Sequence, residues 1–527
     1  MIKDTQKQIF MRILLTYFPI ILSSFLLIAC FPKFNLSFLV WFAMVPFLLK
    51  VIKARNKAES FKIGLIFGTI FFYGCQYWIY HSINSYGSVP FIVSLSIVLL
   101  LSLYEGLYIG IFAVLLNQIH NKTRFPITLT APILWINLEY LRGILFTGFP
   151  WSMLGHTLYK SHNLIQICDI TGVFGLSFLI VFSNSIIALF FYNRSINNKN
   201  YLNLSINAAI FVILIIGIML YGQNRIIFYD NIKDSPLTIS IIQPSIEQGK
   251  KWNSQYQNEV INIYKKLTLA SLKDHPNLII WPETSLPFLY GSDKEYTDDF
   301  NNFQKSLNTY LLFGSILVRQ TTLDDYKLSN SAILMSSNGK ILYVYDKIHL
   351  VPFGEYVPLS EILFFINKLV PSIGTYLHGE RYVVGQTEIG SFATLICYEI
   401  IFPDLVRRFF QNNGNFIITI TNDAWFGATS GPYQHFIISI FRAIENRKPL
   451  VRAANTGISA FIDPTGRITS STNLFDKTIL TNIIYKNSIK TFYTIYGNIF
   501  VYLSIIINIL ILIFLIKGSK GQDPLRG

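Results

Sequence analysis

Long apolar runs alternate with short polar segments over residues 11–223, and a last run covers 493–516. A helix needs about 20 apolar residues to cross roughly 30 Å of hydrocarbon. Runs near that length predict spanning helices at about 11–31, 35–52, 63–81, 90–116, 126–146, 164–193, 205–223 and 493–516. The second and fifth are the weakest, and the last has no charge between Lys490 and Lys517. Between 224 and 492 the pattern changes. Short β-branched runs recur at Leu237–Ile242, Leu278–Trp281, Leu311–Val318, Ala332–Met335, Ile341–Tyr345, Phe392–Cys397, Phe416–Thr421 and Ile458–Ile462. Turn residues bound them, as strands require. Asn338-Gly339 is a hairpin signal between two of these runs. Helical stretches fall at 253–273, 298–309 and 435–447. The pattern predicts a multi-span α-helical membrane bundle of about eight helices carrying an inserted α/β sandwich. Its parts are 1–223 with seven spans, 224–492 as a catalytic domain, and 493–527 with the last span and a tail.

Composition agrees with this division. The 527 residues are 52% hydrophobic and 14% charged, with a mean hydropathy of +0.43. Soluble domains are less apolar and more charged. The net charge of +14 would suit nucleic acid, but the cations mark loops instead. Lys3, Lys7 and Arg12 precede the first run, and Lys50, Lys53, Arg55, Lys57 and Lys62 follow the second. Lys122 with Arg124, Arg194 with Lys199, and Lys517, Lys520 and Arg526 occupy later loops and the tail, whereas the alternate short loops hold only Lys33 and Lys160. Because cytoplasmic loops carry the Lys/Arg excess, this pattern predicts both termini in the cytoplasm and the domain outside. No nucleic-acid partner is implied. The first run reads as a retained helix, since no small-residue cleavage site follows it.

Four cysteines are present. Cys30, Cys75 and Cys168 lie in or beside predicted spans, leaving Cys397 alone in the inserted domain. A lone thiol outside the cytoplasm is an oxidation liability, which points to chemistry, although free cysteine is also a common inert core residue. Its context, Phe392-Ala-Thr-Leu-Ile-Cys-Tyr-Glu, is a buried strand running into a turn. A cysteine nucleophile needs a proton acceptor and an oxyanion donor. Two other strand ends offer them: Glu283 in Trp-Pro-Glu, and Lys347 in Asp-Lys-Ile-His-Leu-Val-Pro-Phe-Gly-Glu.

Together the three segments resemble the nitrilase (carbon–nitrogen hydrolase) superfamily over about 237–485. That resemblance implies an αββα sandwich with Glu283, Lys347 and Cys397 as a triad. With its spans the whole chain resembles the bacterial apolipoprotein N-acyltransferase family. Leu138–Trp151, Gln243–Trp252, Asn330-Ser-Ala and Asn422-Asp-Ala-Trp-Phe-Gly resemble that family's other motifs. The resemblance implies a ping-pong acyl transfer. The donor is a membrane phospholipid, the intermediate a Cys397 thioester, and the acceptor the free amine of a diacylglyceryl-cysteine apolipoprotein. It implies a bacterial inner-membrane protein, monomeric, with the catalytic domain on the periplasmic side, and no cofactor or metal. Glu355, Tyr398, Glu399, Trp252, Asn330 and Trp425 are implied supporting residues. Glu399 also reads as a helix N-terminal carboxylate, and both tryptophans as core packing.

Three points stay open at this level. Glu139 and Arg142, three apart near a span end, suit either lipid positioning or a tie between helices. The apolar stretch Leu359–Val370 suits either a membrane-contacting arm or a buried helix. A membrane-tethered amide hydrolase, with water as acceptor, would use the same triad; the spans favour a lipid substrate.

Overall fold

The computed structural model describes residues 17–123, 125–197, 201–320, 326–357 and 376–520. The stretch Leu359–Val370 lies outside the described residues. The chain forms two compact units. One contains Met1–Tyr80, Phe91–Asn224 and Asn498–Gly527; the other contains His81–Pro90 and Arg225–Gly497.

Among the described residues four helices are long and apolar enough to cross a membrane: Phe91–Lys122, Phe174–Ser195, Leu202–Asp230 and Ile499–Ile516. A fifth is added if Lys57–Gln76 and Ile79–Tyr86, bent by 56°, count as one span. The helices supporting the other runs are shorter. The run 35–52 forms a turn at Ser37–Trp41 and then a helix at Val45–Ile52, with a Pro in its first turn. The run 126–146 forms the 16-residue helix Ile127–Arg142. The run 164–193 becomes continuous helix only from Phe174, because Gly172 turns the chain at φ 61°. Eight spans are therefore a finer statement than helix length alone carries.

Packing in this unit uses small residues, as expected where lipid supplies no hydrophobic drive between helices. Gly64 and Gly68 on one helix face Gly106 and Gly110 on another. A Cβ on Gly64 would stand 2.3 Å from the Ile109 carbonyl oxygen, and one on Gly68 would stand 2.9 Å from the Gly106 Cα. The two backbones meet only because side chains are missing there.

The second unit is built on twelve strands among the described residues. β1 (Pro236–Gln243), β2 (Leu278–Ile280), β3 (Tyr310–Gln320), β4 (Tyr326–Met335), β5 (Ile341–Asp346) and β12 (Thr478–Tyr485) form one sheet, in the order β12-β1-β2-β3-β4-β5. β6 (Val384–Thr387), β7 (Gly390–Ile396), β8 (Phe416–Thr421), β9 (Leu450–Ala454), β10 (Ala460–Ile462) and β11 (Ile468–Ser471) form the other, in the order β11-β10-β9-β8-β7-β6. Each sheet has three parallel strands at its centre, β1-β2-β3 and β7-β8-β9, flanked by antiparallel ones. The sheets stack, with β1 packed on β9 and β4 on β7. Helices Gln257–Ser271 and Lys294–Leu307 cover the first sheet through a core holding Tyr264, Trp281, Phe300 and Phe313. Helix Gly431–Asn446 packs on β9, in the second sheet. This is an α/β sandwich. Asn338-Gly339 does turn β4 into β5, with Gly339 at φ 82°.

Candidate active site

Glu283 follows β2 in a turn held from three sides. Trp281 stacks on Tyr264 at 4.5 Å and donates its Nε1–H to Thr268 at 2.9 Å. The Gly314 N–H donates to the Pro282 carbonyl at 3.2 Å, and the Ser285 N–H to the Gly314 carbonyl at 2.7 Å. Thr284 completes the turn at φ 44°, a strained value for a β-branched residue. The approach to β3 is close: a Cβ on Gly314 would lie 2.6 Å from the Thr284 N and 2.7 Å from the Glu283 Cα. The Glu283 carboxylate accepts the Asn330 Nδ2–H at 2.8 Å and the Asn422 N–H at 2.9 Å.

Lys347 follows β5, 1% exposed. Its N–H donates to the Asn330 carbonyl at 2.9 Å, and its own carbonyl accepts the Gly379 N–H at 2.7 Å. Its Nζ lies 2.9 Å from Glu355 and 3.7 Å from Glu283. Burial works against the charge, but Glu355, Glu283 and Cys397 outweigh it and hold the ammonium well above the ordinary lysine range. Glu355 is fixed in turn: it accepts the Asn330 Nδ2–H at 3.0 Å and the Val351 N–H at 2.8 Å. One amide group therefore spaces both carboxylates around Lys347.

Cys397 follows β7 at φ 53°, so the chain turns sharply at the nucleophile position. Burial first, and then the Glu283 carboxylate, push the thiol far above its ordinary value; Lys347 and a hydrogen bond with Thr421 pull the other way. The resting group is the neutral thiol. His435 lies 3.3 Å from the Cys397 carbonyl oxygen and 2.9 Å from Asp423, which Arg452 also holds at 2.7 Å. Although burial opposes it, Arg452 and His435 keep the Asp423 carboxyl well below the usual range. This fully buried set backs the elbow and was not singled out from the sequence. An arginine inside a β-strand breaks the apolar pattern and reads as an edge signal.

Glu399 joins the two loops. Its carboxylate accepts N–H groups of Ile348 at 2.7 Å, His349 at 3.1 Å and Ile396 at 2.7 Å, and the Tyr345 hydroxyl at 2.7 Å. Burial pushes it up to about 7, with those donors pulling down. Tyr398 packs beside His349 and Phe402, with ring centroids 5.8 and 5.1 Å away. Burial and the neighbouring Lys347 push His349 down to about 4.

The tryptophans sit differently from core packing. Trp252 is 45% exposed and Trp425 39%. Trp425 is held by the segment His81–Pro90: Tyr86 meets its ring edge-on at 5.0 Å, the Tyr86 hydroxyl donates to the Ala424 carbonyl at 3.1 Å, and the Ser82 hydroxyl to the Trp425 carbonyl at 2.7 Å. Sequence reading also passed over Lys251, whose Nζ lies against the Glu283 turn. Nothing in the pair Lys250-Lys251 distinguishes the buried member from the exposed one.

Glu139 and Arg142 belong to the first unit. Arg142 forms its ion pair with Glu105, at 2.7 Å, rather than with Glu139 three residues earlier. It also donates to the Phe149 carbonyl at 2.8 Å, while Glu139 accepts the Leu154 N–H at 2.9 Å. Arg142 thus ties its helix to Phe91–Lys122, and both side chains also hold the segment that follows their helix.

Two family models match the chain: "Apolipoprotein N-acyltransferase N-terminal domain" over residues 23–186, and "Carbon-nitrogen hydrolase" over 238–492. A protein of Geobacter metallireducens named apolipoprotein N-acyltransferase is 36% identical over 92% of this chain and 92% of its own length. Proteins of the same name from Haemophilus influenzae and Rickettsia prowazekii are each 33% identical, over 94% and 91% of this chain and 93% and 94% of their own. A solved carbon-nitrogen hydrolase from Helicobacter pylori aligns with 48% of this chain and 89% of its own, at 17% identity and a TM-score of 0.36. With relatives of this identity covering both of its units, the chain belongs to the apolipoprotein N-acyltransferase family.

Proposed function

We propose that this protein moves a fatty acyl group from a membrane phospholipid to the α-amine of a diacylglyceryl-cysteine at the N-terminus of an apolipoprotein. Cys397 carries the acyl group between the two steps. The observation behind this reading is the buried thiol on a strained elbow, electrostatically coupled to Glu283 and Lys347, in a chain whose relatives bear the acyltransferase name.

Because the thiol is neutral at rest, its proton leaves as the S–C bond forms. Glu283 takes it, and Lys347 stabilises the oxyanion on the former ester carbonyl. Collapse breaks the ester C–O bond, and Glu283 returns the proton to the departing lysophospholipid oxygen. The acceptor amine then attacks the thioester, Glu283 removes an N–H proton, and collapse returns the sulfur to Cys397 as thiol. Ester becomes thioester and then amide, so no nucleotide need drive the sequence. Glu355 and Asn330 space the charges. Trp252 and Trp425, half-exposed aromatics, suit contact with the acyl or glyceryl part. In this reading eight spans hold a monomeric protein in the inner membrane, with the termini cytoplasmic and the reaction on the periplasmic face.

The test is acyl transfer in detergent with phosphatidylethanolamine and a diacylglyceryl-cysteine peptide. Wild type should form a Cys397 acyl adduct, seen by mass spectrometry, that the peptide discharges. Cys397→Ser, Glu283→Gln and Lys347→Ala should each lose transfer. Wild-type protein that never acylates with phospholipid present would end this reading and favour an amide substrate with water as acceptor.

A further inference from the structure

Lys251 is 1% exposed, whereas Lys250 beside it is half-exposed. Its Nζ donates to the Glu283 carbonyl at 2.9 Å and to the Thr284 hydroxyl at 2.5 Å. Both acceptors are neutral oxygens. A buried ammonium on neutral oxygens is costly unless anions nearby use its charge. Glu283 is such an anion, and the sulfur of Cys397 becomes one when its proton leaves; both favour the charge on Lys251.

The same helical turn holds Glu283 from a second direction. Gln248 Oε1 accepts the Asn422 Nδ2–H at 2.6 Å, and the Asn422 N–H donates to the Glu283 carboxylate at 2.9 Å. Gln248–Lys251 therefore grips the turn through its backbone and the carboxylate through Asn422.

Charge counting gives this cation a task. Around Cys397 stand two carboxylates, Glu283 and Glu355, with Lys347 bonded between them, and a third, Glu399, which burial pushes up to about 7 and four N–H and O–H donors hold. Asp423 is compensated separately by Arg452. His349 stays neutral at physiological pH, and Tyr376 faces the same carboxylates. At least one negative charge is left over, before any forms at sulfur or on an oxyanion. Lys251 supplies the missing positive charge. Burial opposes this charge, while Glu283 and Cys397 hold it up.

We propose that Lys251 is a positioning residue for Glu283 and the second cation of the reaction centre, balancing the negative charge that the Glu283–Cys397 pair carries. The inference rests on the reading of that pair as the reacting groups. Its test is independent of lipid. Iodoacetamide alkylation of Cys397 in the full-length, detergent-solubilised protein is followed by mass spectrometry of its peptide across pH.

The alkaline rise in rate reports the proton affinity of the pair as a unit. Lys251→Gln keeps amide donors and removes the charge. It should move the rise to higher pH by about 1–3 units, the size of a neighbouring-charge effect. Lys251→Arg should leave the rise in place. Lys251→Met, neutral and of similar length, is the second neutral variant and should behave as Gln does. A packing role alone would lower the rate in the neutral variants with the rise where wild type has it, and that result overturns the proposal. A displaced rise without any acyl transfer would leave Lys251 as proposed and fault only the acyl-transfer reading.

Discussion

Glu399 reaches back to accept the backbone N–H of Ile348 at 2.7 Å, so a residue of the Cys397 elbow sets the path of the loop after Lys347. Its other oxygen accepts the Ile396 N–H at the end of β7. One buried carboxylate thus ties the two sheets together at the site. All its partners are donors, which makes the substitution to an amide informative.

Glu399→Gln places an NH2 group among N–H and O–H donors. With the amide oxygen kept for Ile348, His349 and Tyr345, the NH2 meets the Ile396 N–H, and at least one buried donor loses its acceptor, at about 1–3 kcal/mol. Denaturant unfolding should show a loss of about 1–3 kcal/mol, and Cys397 alkylation should slow. Tyr345→Phe removes a single donor and should cost about 1 kcal/mol. Equal stability of the Gln variant and wild type would contradict the buried four-donor arrangement.

Gly314→Ala tests the close approach beneath Glu283. Its Cβ would stand 2.6 Å from the Thr284 N, a backbone atom that yields only if the turn moves. Overpacking of this kind costs about 1–3 kcal/mol. A displacement of about 1 Å at a reacting group costs roughly a hundredfold in rate. Transfer should fall far more than stability, as read from kcat and from unfolding of the same preparation.

In the first unit the test is a double-mutant cycle on Arg142 and Glu105. Removing one partner of a buried ion pair leaves an uncompensated charge, at about 3–5 kcal/mol. Arg142→Met alone should lower the unfolding temperature in detergent markedly. Adding Glu105→Gln should recover most of that loss. Additive losses would mean that the pair contributes no coupling.

His349 makes stability depend on pH with a definite sign. Burial and Lys347 lower it from 6.5 to about 4 in the folded protein. Between those values the unfolded chain binds the proton and the folded chain does not. Its contribution is fully present above pH 6.5 and is lost as pH falls towards 4. The shift corresponds to at most about 3 kcal/mol. Comparing unfolding of wild type and His349→Phe from pH 7 to 4 should show the variant losing less stability on acidification.

Some of this structure is written locally. β2, β7 and β8 are continuous apolar runs because they are buried on both faces, and Asn338-Gly339 turns β4 into β5 because the loop needs positive φ at Gly339. β6, β11 and β12 are short or half-exposed and carry no such run. β9 hides behind Arg452, a buried charge that Asp423, 29 residues earlier, compensates. The sandwich edges and the Arg-bearing strand are thus tertiary decisions.

The same division holds at the site. Sequence by itself determined the membrane-like and α/β parts and three strand ends bearing Glu283, Lys347 and Cys397, since periodicity, proline and turn chemistry act over a few residues. Only the tertiary structure decided that Asn330 spaces Glu283 from Glu355, that Arg142 pairs with Glu105, and that Lys251 rather than Lys250 is buried. Charge and hydrogen-bond partners act through space, and which partner lies within about 3 Å is set by the packing of segments far apart in the chain.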